Sequence, residues 1–230
     1  MIKLSDRAPE GEINSVSLFK IRDAFNAYGE AAAVYSNGAG GFIGVSPGGA
    51  CAATGFSDTK ELTAFLEYIR PASVYISGDI ARLDLTGYAA YPVTELELCG
   101  PAGKTEGQGF DPSSDKVYKI LKAVGAFALP PYADFAADYC RRKNRGQLIC
   151  RALEERAAAI AFVCENAAMI NGVASLEKGA GSRVLSALLA ALGGKRVFAA
   201  AKDETVPFYK KNGFTPAGRA VYYEKNRKET

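Results

Sequence analysis

The sequence contains no histidine. That removes the Ser-His-Asp and Cys-His devices and the commonest side-chain ligand of transition metals. Acid–base work would then fall to Glu, Asp, Tyr, Cys, Lys or water. Cysteine is sparse: Cys51, Cys99, Cys140, Cys150 and Cys164 lie far apart, with no Cys-x-x-Cys pair. Such scatter argues against a thiolate zinc site and for buried free thiols in a reducing compartment, so no metal is expected. No run approaches the ~20 apolar residues that cross a bilayer. The opening "MIKLSDRAPEGEINS" lacks the apolar core of a secretory leader. Cytoplasm is therefore the expected location, with no membrane partner. Neither sign of charge dominates: 28 Lys and Arg face 25 Asp and Glu, for a net +3 and a pI near 8.5. That is too weakly basic for a nucleic-acid surface, and no nucleic-acid partner is expected.

What is present is globular: 48% hydrophobic and 23% charged residues, over a length suited to one large domain or two small ones. The stretch "CGPAGKTEGQGFDPSSD" divides the chain. Its "GPAGKT" invites a phosphate-loop reading, but Leu98 stands where that signature needs Gly, and "EGQGFDPSS" after it is no helix. A linker over 105–114 is the better reading. It would separate an α/β domain over 1–104 from a second domain over 115–230.

The first half reads as a helix, three short strands at 31–35, 41–45 and 50–54, a helix opened by Ser57 or Asp58, and strands at 73–77 and 93–98. It offers no constellation to which chemistry can be assigned. The second half opens with two amphipathic helices, one with Val117, Ile120, Leu121 and Val124 on a single face. Strand runs follow at 147–153, 157–164 and 167–174. Then come "SLEKGAGSR", an apolar helix, the strand "RVFAAA", the short helix "ETVPFYKKNG" and the strand "AVYYEK".

In "GVASLEKGAGSRVLSALL" a strand runs into a glycine loop and then a helix. Gly179 and Gly181 let the backbone turn and approach a ligand. The free amides of the helix start form an anion site, to which Ser182 adds a hydroxyl and Lys178 and Arg183 add charge. A pyrophosphate would suit it; a plain strand–helix turn is the alternative. Four basic residues in "CRRKNRG" read as dipole complementation at a helix end, or as a site for a phosphate or an acidic acceptor.

This order, the glycine loop and the later "PFYKKNGF" together resemble the GNAT superfamily of acyl-CoA-dependent N-acetyltransferases over roughly residues 113–223. Gly179, Ala180 and Gly181 match the second part of the family's glycine loop, and Phe208, Tyr209, Lys211, Gly213 and Phe214 match its later motif. Leu176 occupies the loop's Gln/Arg slot, the loop is shorter than usual, and the later motif's Asn slot falls at Lys202 or Asp203.

The resemblance implies a mixed, mostly antiparallel twisted sheet flanked by helices, an α+β form of the α/β class. It is preceded by a smaller α/β domain that the strand-strand-strand-helix-strand run suggests is a reduced copy of the same fold. It further implies acetyl-CoA as co-substrate and an amine as acceptor. Amides of Gly172, Val173 and Ala174, beside a bulge in the central strand, would hold the pantetheine and the oxyanion. Lys178, Gly179, Ala180, Gly181, Ser182, Arg183 and Asp203 would complete the coenzyme site. Tyr209 would protonate or hydrogen-bond the departing thiolate; Glu165, then Glu177, are candidates for the base. A homodimer is compatible with this reading. A catalytically silent acyl-CoA-binding or interaction module on the same fold is the competing one.

Overall fold

The computed structural model describes residues 1–78, 82–98, 109–127 and 129–226. In chain order the elements are β1 (Lys3–Ser5), α1 (Val16–Tyr28), a 3-10 turn (Gly29–Ala31), β2 (Ala33–Ser36), β3 (Phe42–Val45), β4 (Ala50–Thr54), α2 (Thr59–Ile69), β5 (Ser73–Ser77) and β6 (Tyr88–Leu98). There follow α3 (Ser114–Val124), α4 (Tyr132–Asn144), β7 (Leu148–Leu153), β8 (Ala157–Cys164), β9 (Ala167–Ser175), α5 (Ala180–Ala191), β10 (Arg196–Ala201), α6 (Val206–Lys211) and β11 (Phe214–Lys225). "GPAGKT" and residues 105–108 of the expected linker lie outside the described residues.

The chain divides into two compact units that are not contiguous in sequence. The first holds Met1–Leu96, Ala200–Pro207 and the chain from Pro216 onward; the second holds Glu97–Ala199 and Phe208–Thr215. Most of the last strand, which sequence order assigns to the second domain, thus belongs to the first unit.

In the first unit the sheet order is β1-β2-β3-β4-β5-β11-β6. β2, β3 and β4 form an antiparallel meander, and β5 returns parallel to β4 after the crossover helix α2. Leu62 and Leu66 of α2 cover one face, against Ile43, Cys51, Ala53, Val74 and Ile76. α1 covers the same strands too, and so tightly that a Cβ on Gly44 would lie 3.0 Å from Ile21 Cα.

The second unit repeats this scheme. β7, β8 and β9 form an antiparallel meander, and β10 returns parallel to β9 after α5. β8 opens with "AAAIA", all buried, which suits a strand covered on both faces. Ala158 and Ile160 meet Val117, Ile120 and Leu121 of α3 and Tyr139 of α4, while α5 also packs on β8. Because side chains alternate along a strand, the set between them turns to the other layer. The small alanines let helices on both sides approach the sheet closely. Mixed, mostly antiparallel strands flanked by helices are the fold class expected above. Among the described residues no helix is long and apolar enough to cross a membrane.

Candidate functional site

β9 is the strand that opens. On one side it pairs with β8 along its whole length, through Ser175. On the other its pairing with β10 runs only over Ala167–Arg196, Ala168–Val197 and Met169–Phe198. The β8 register shifts in the same place: Ile160 faces Gly172 and Ala161 faces Ile170, so Asn171 is an extra, bulged residue. Beyond the bulge, alternate amides and carbonyls have no ladder partner on the β10 side among the described residues. Gly172 and Val173 are half-buried and Ala174 is buried. A Cβ on Gly172 would come within 3.3 Å of Phe127 Cε1, so the glycine makes room for that ring beside the open edge.

β9 leads directly to the glycine loop. Gly179 adopts φ +86°, a left-handed conformation that favours glycine, and precedes α5 with no side chain capping the helix. The first amides of a helix lack intrahelical acceptors. That of Ala180 donates to Glu177 O at 3.2 Å, while those of Gly181 and Ser182 reach no backbone acceptor among the described residues. Lys178, Gly179 and Arg183 are exposed and Ser182 is half-buried. Ala180 and Gly181 are buried: a Cβ on Gly181 would meet Ser175 Cβ at 3.4 Å and Phe208 Cε2 at 3.5 Å, so Gly181 faces its own unit's packing. Leu176, in the slot where the family carries Gln or Arg, is 52% exposed. Glu177 pairs with Arg156 at 3.3 Å, which offsets its charge beside the first turn of α5.

The short helix α6 lies against the start of α5. Tyr209 is only 9% exposed, with its ring edge-on to Phe208 and Phe214 at centroid distances of 5.2 and 5.4 Å. Burial pushes its phenol up to about 12. Asn212 donates to Phe208 O at 2.7 Å and to Ser182 Oγ at 3.2 Å, joining this helix to the first turn of α5. Tyr209 is thus buried more deeply than the half-buried Phe208 beside it.

Other expected residues lie elsewhere. Glu165 occupies the β8–β9 turn with φ +53°, and its carbonyl accepts from Lys195 Nζ at 2.8 Å. It is at the Ala167 end of β9, and from there to Gly172 the strand rises about 17 Å. The structure therefore does not bring Glu165 to the bulge. Asp203 belongs to the first unit, in the exposed turn before α6. The basic cluster is largely engaged: Arg142 bonds Asp138 at 3.1 Å and stacks on Phe162, and Lys143 pairs with Asp111 at 2.9 Å. Cys51, Cys150 and Cys164 are buried, but Cys140 is exposed, which corrects the expectation for that thiol. It lies on an outer face of α4, where nothing requires burial. Among the described residues no cluster of His, Cys, Asp and Glu is arranged to hold a metal ion.

The bulge lies beside Gly172, where the resemblance implied one, and the "NG" of "MINGVAS" is its local signal. Two features escaped the sequence. Asn212 reads in sequence only as part of an Asn-Gly turn. The second is a contrast between the two units. β4 pairs with β5 along Ala50–Ala53 with no shift of register, and Asp58 caps the following helix. One Asp58 oxygen accepts from the amides of Lys60 and Glu61 at 2.9 and 3.1 Å. The first amides of α2 are thus capped by the chain's own carboxylate, whereas those of α5 have no side-chain cap.

No protein-family model matches the chain, and no curated protein matches it in sequence. Solved structures do match. A GNAT-family protein from Novosphingobium aromaticivorans superposes with a TM-score of 0.57 at 16% identity, over 89% of this chain and 96% of its own. A GNAT-family acetyltransferase from Colwellia psychrerythraea gives 0.52 at 15% identity, over 98% and 99%. A protein of unknown function from Staphylococcus epidermidis gives 0.55 at 12% identity, over 88% and 98%. At these identities the likeness is one of fold, and the chain has the GNAT fold.

Proposed function

We propose that the second unit binds an acyl-coenzyme A, acetyl-CoA in the first instance, and transfers its acyl group to an amine. The observation that carries this is the coincidence of three features in one strand–loop–helix segment. β9 separates from β10 after Met169, it bulges at Asn171, and it feeds a helix whose N-terminus is left uncapped. In the first unit the corresponding ladder continues and the corresponding helix is capped by Asp58. One coenzyme site per chain follows.

The fit can be judged from the donors present. Exposed Lys178 and Arg183, the half-buried Ser182 hydroxyl and the open amides of Gly181 and Ser182 form a cationic, donor-rich seat suited to a pyrophosphate. The unpaired backbone past Asn171 suits the amides of a pantetheine arm laid alongside like an added strand. When bound, the coenzyme supplies a thioester carbon open to nucleophiles and a thiol leaving group.

The chain's own part is to hold, orient and donate. Amides at Gly172–Ala174 provide donors where negative charge develops on a carbonyl oxygen. Tyr209, with its phenol raised to about 12, stays protonated across the working range and keeps its proton available as a donor to sulfur. With Glu165 at the far end of β9 from the bulge and Glu177 paired with Arg156, this reading sends the acceptor's proton to solvent.

A silent binding module is favoured by one observation, the exposed Leu176 in place of a polar contact. One experiment separates the two readings: amine-dependent release of free thiol from acetyl-CoA, followed with a chromogenic thiol reagent over a panel of primary amines. Release with at least one amine is expected. Tight coenzyme binding without turnover across the panel would leave only the binding module.

A further inference from the structure

We infer that Asn212 is a positioning residue of this site: it sets the direction of the Ser182 hydroxyl proton and fixes the Tyr209 helix against the start of α5. The inference rests on the coenzyme-binding reading above. The Asn212 amide nitrogen donates to Phe208 O at 2.7 Å, and a carbonyl oxygen can only accept. That contact fixes which end of the amide faces α5, so the nitrogen's second proton is the one directed at Ser182 Oγ, 3.2 Å away. Both Asn212 protons are then committed.

Ser182 Oγ is consequently an acceptor from Asn212, and its own proton is left to donate elsewhere. Among the described residues no acceptor takes it. Ser182 is half-buried, one position before the exposed Arg183 and three after the exposed Gly179. Its hydroxyl is therefore poised as a donor, on the same first turn whose amides are open. An anion arriving there meets a hydroxyl already turned the right way, and no reorientation has to accompany binding.

The same residue governs Tyr209. The Asn212 backbone amide donates to Tyr209 O at 2.9 Å, closing α6, and its side chain ties that closed turn to α5. The Phe208 ring lies near Gly181, where an added Cβ would meet its Cε2 at 3.5 Å. The donor to phosphate and the donor to sulfur are thus held in fixed relation through one amide.

The test is a double-mutant cycle on coenzyme A affinity by calorimetry, with Ser182→Ala, Asn212→Leu and the double variant. Each single change is expected to weaken binding about 10-fold, the scale of one hydrogen bond to a charged group. The double variant is expected to be no weaker than the worse single variant. S-acetylpantetheine, which lacks the pyrophosphate, should bind Ser182→Ala as it binds the wild type. In turnover, Ser182→Ala should raise KM for acetyl-CoA at nearly constant kcat, while Asn212→Leu should also lower kcat.

Asn212→Asp guards against a variant that fails to fold. It keeps the size but accepts from Ser182, turning the hydroxyl proton inward, so it too should weaken coenzyme A at least 10-fold. Additive losses in the cycle, or an Asn212→Asp variant that binds coenzyme A like the wild type, would overturn the inference. A wild type that binds no coenzyme A fails at an earlier step: it overturns the proposed function, and this inference with it.

Discussion

Replacing Tyr209 by Phe removes one oxygen and leaves the ring. The ring's contacts with Phe208 and Phe214 survive, and among the described residues the hydroxyl has no hydrogen-bond partner to lose. Stability should change by less than about 1 kcal/mol. Activity should change far more. The phenol sits at about 12, raised by burial. An ordinary thiol lies near 8.5, so complete proton transfer to a thiolate would be uphill by about 3.5 pKa units, or roughly 5 kcal/mol. Tyr209 should therefore act as a hydrogen-bond donor to developing negative charge, short of full transfer. A hydrogen bond to a charged group is worth about 1.5–3 kcal/mol, which predicts a loss of about 10- to 150-fold in kcat. The sign of the pH effect follows. The donor is present below about 12 and lost only above it, so no descending limb between pH 8 and 10 should belong to Tyr209. The assay is initial-rate thiol release at saturating acetyl-CoA and amine, with thermal unfolding of both proteins alongside. A variant of unchanged fold that turns over at the wild-type rate would show that the Tyr209 hydroxyl contributes nothing to the reaction. A wild-type limb between pH 8 and 10 that the variant abolishes would show instead that the phenol titrates there.

Other consequences can be checked separately. If the acceptor's proton leaves to solvent, the rising limb of kcat/KM should move with the pKa of whichever amine is used, and Glu165→Gln should leave it in place; a limb that stays fixed across amines would indicate a base on the protein. Gly179→Ala imposes a side chain at φ +86° and should lower stability by about 1 kcal/mol. Gly181→Ala meets only ordinary contacts at 3.4–3.5 Å and should alter stability by less than about 1 kcal/mol; denaturant melts distinguish the two. In the first unit, Glu95 is buried and accepts from Tyr75 and Ser77, with its carboxyl held above the usual range by desolvation. An acid with a raised folded pKa binds protons more tightly when folded, so stability should fall as pH rises from about 4.5 through that value. Glu95→Gln should remove this component of the slope, read as the difference between the two melts across pH; parallel curves would contradict it.

The elements were legible where burial leaves a simple signature. The apolar run of β8 and the apolar helix after the glycine loop declare themselves by composition, and strands β4, β5, β8 and β10 fall where the residues put them. β11 did not. Its start, "FTPAG", carries Pro and Gly and reads as a loop, yet the strand runs from Phe214 to Lys225. Its later part, Ala220–Glu224, pairs with β5 and is the part that the run "AVYYEK" marks.

The candidate site was legible in its chemistry and not in its geometry. Gly179, Lys178, Ser182 and Tyr209 suit the proposed chemistry by their residue types. The separation of β9 from β10 is a matter of register between segments nearly thirty residues apart, which no local pattern encodes. Asn171 is an extra residue only relative to β8. Glu165 was a reasonable choice by residue type, and the direction of β9 is what carries it away from the bulge. Asp58 was readable as a helix cap; that the matching helix of the other unit lacks one becomes visible only when the two meanders are compared.

The most direct test is a calorimetric titration of the whole chain with acetyl-CoA, on the wild type and on a variant with Lys178 and Arg183 both changed to Glu. One molecule should bind per chain, and binding should weaken by at least about 10-fold in the charge-reversed variant. No binding by the wild type would contradict the coenzyme-binding reading, as would two molecules per chain or an affinity indifferent to those two charges.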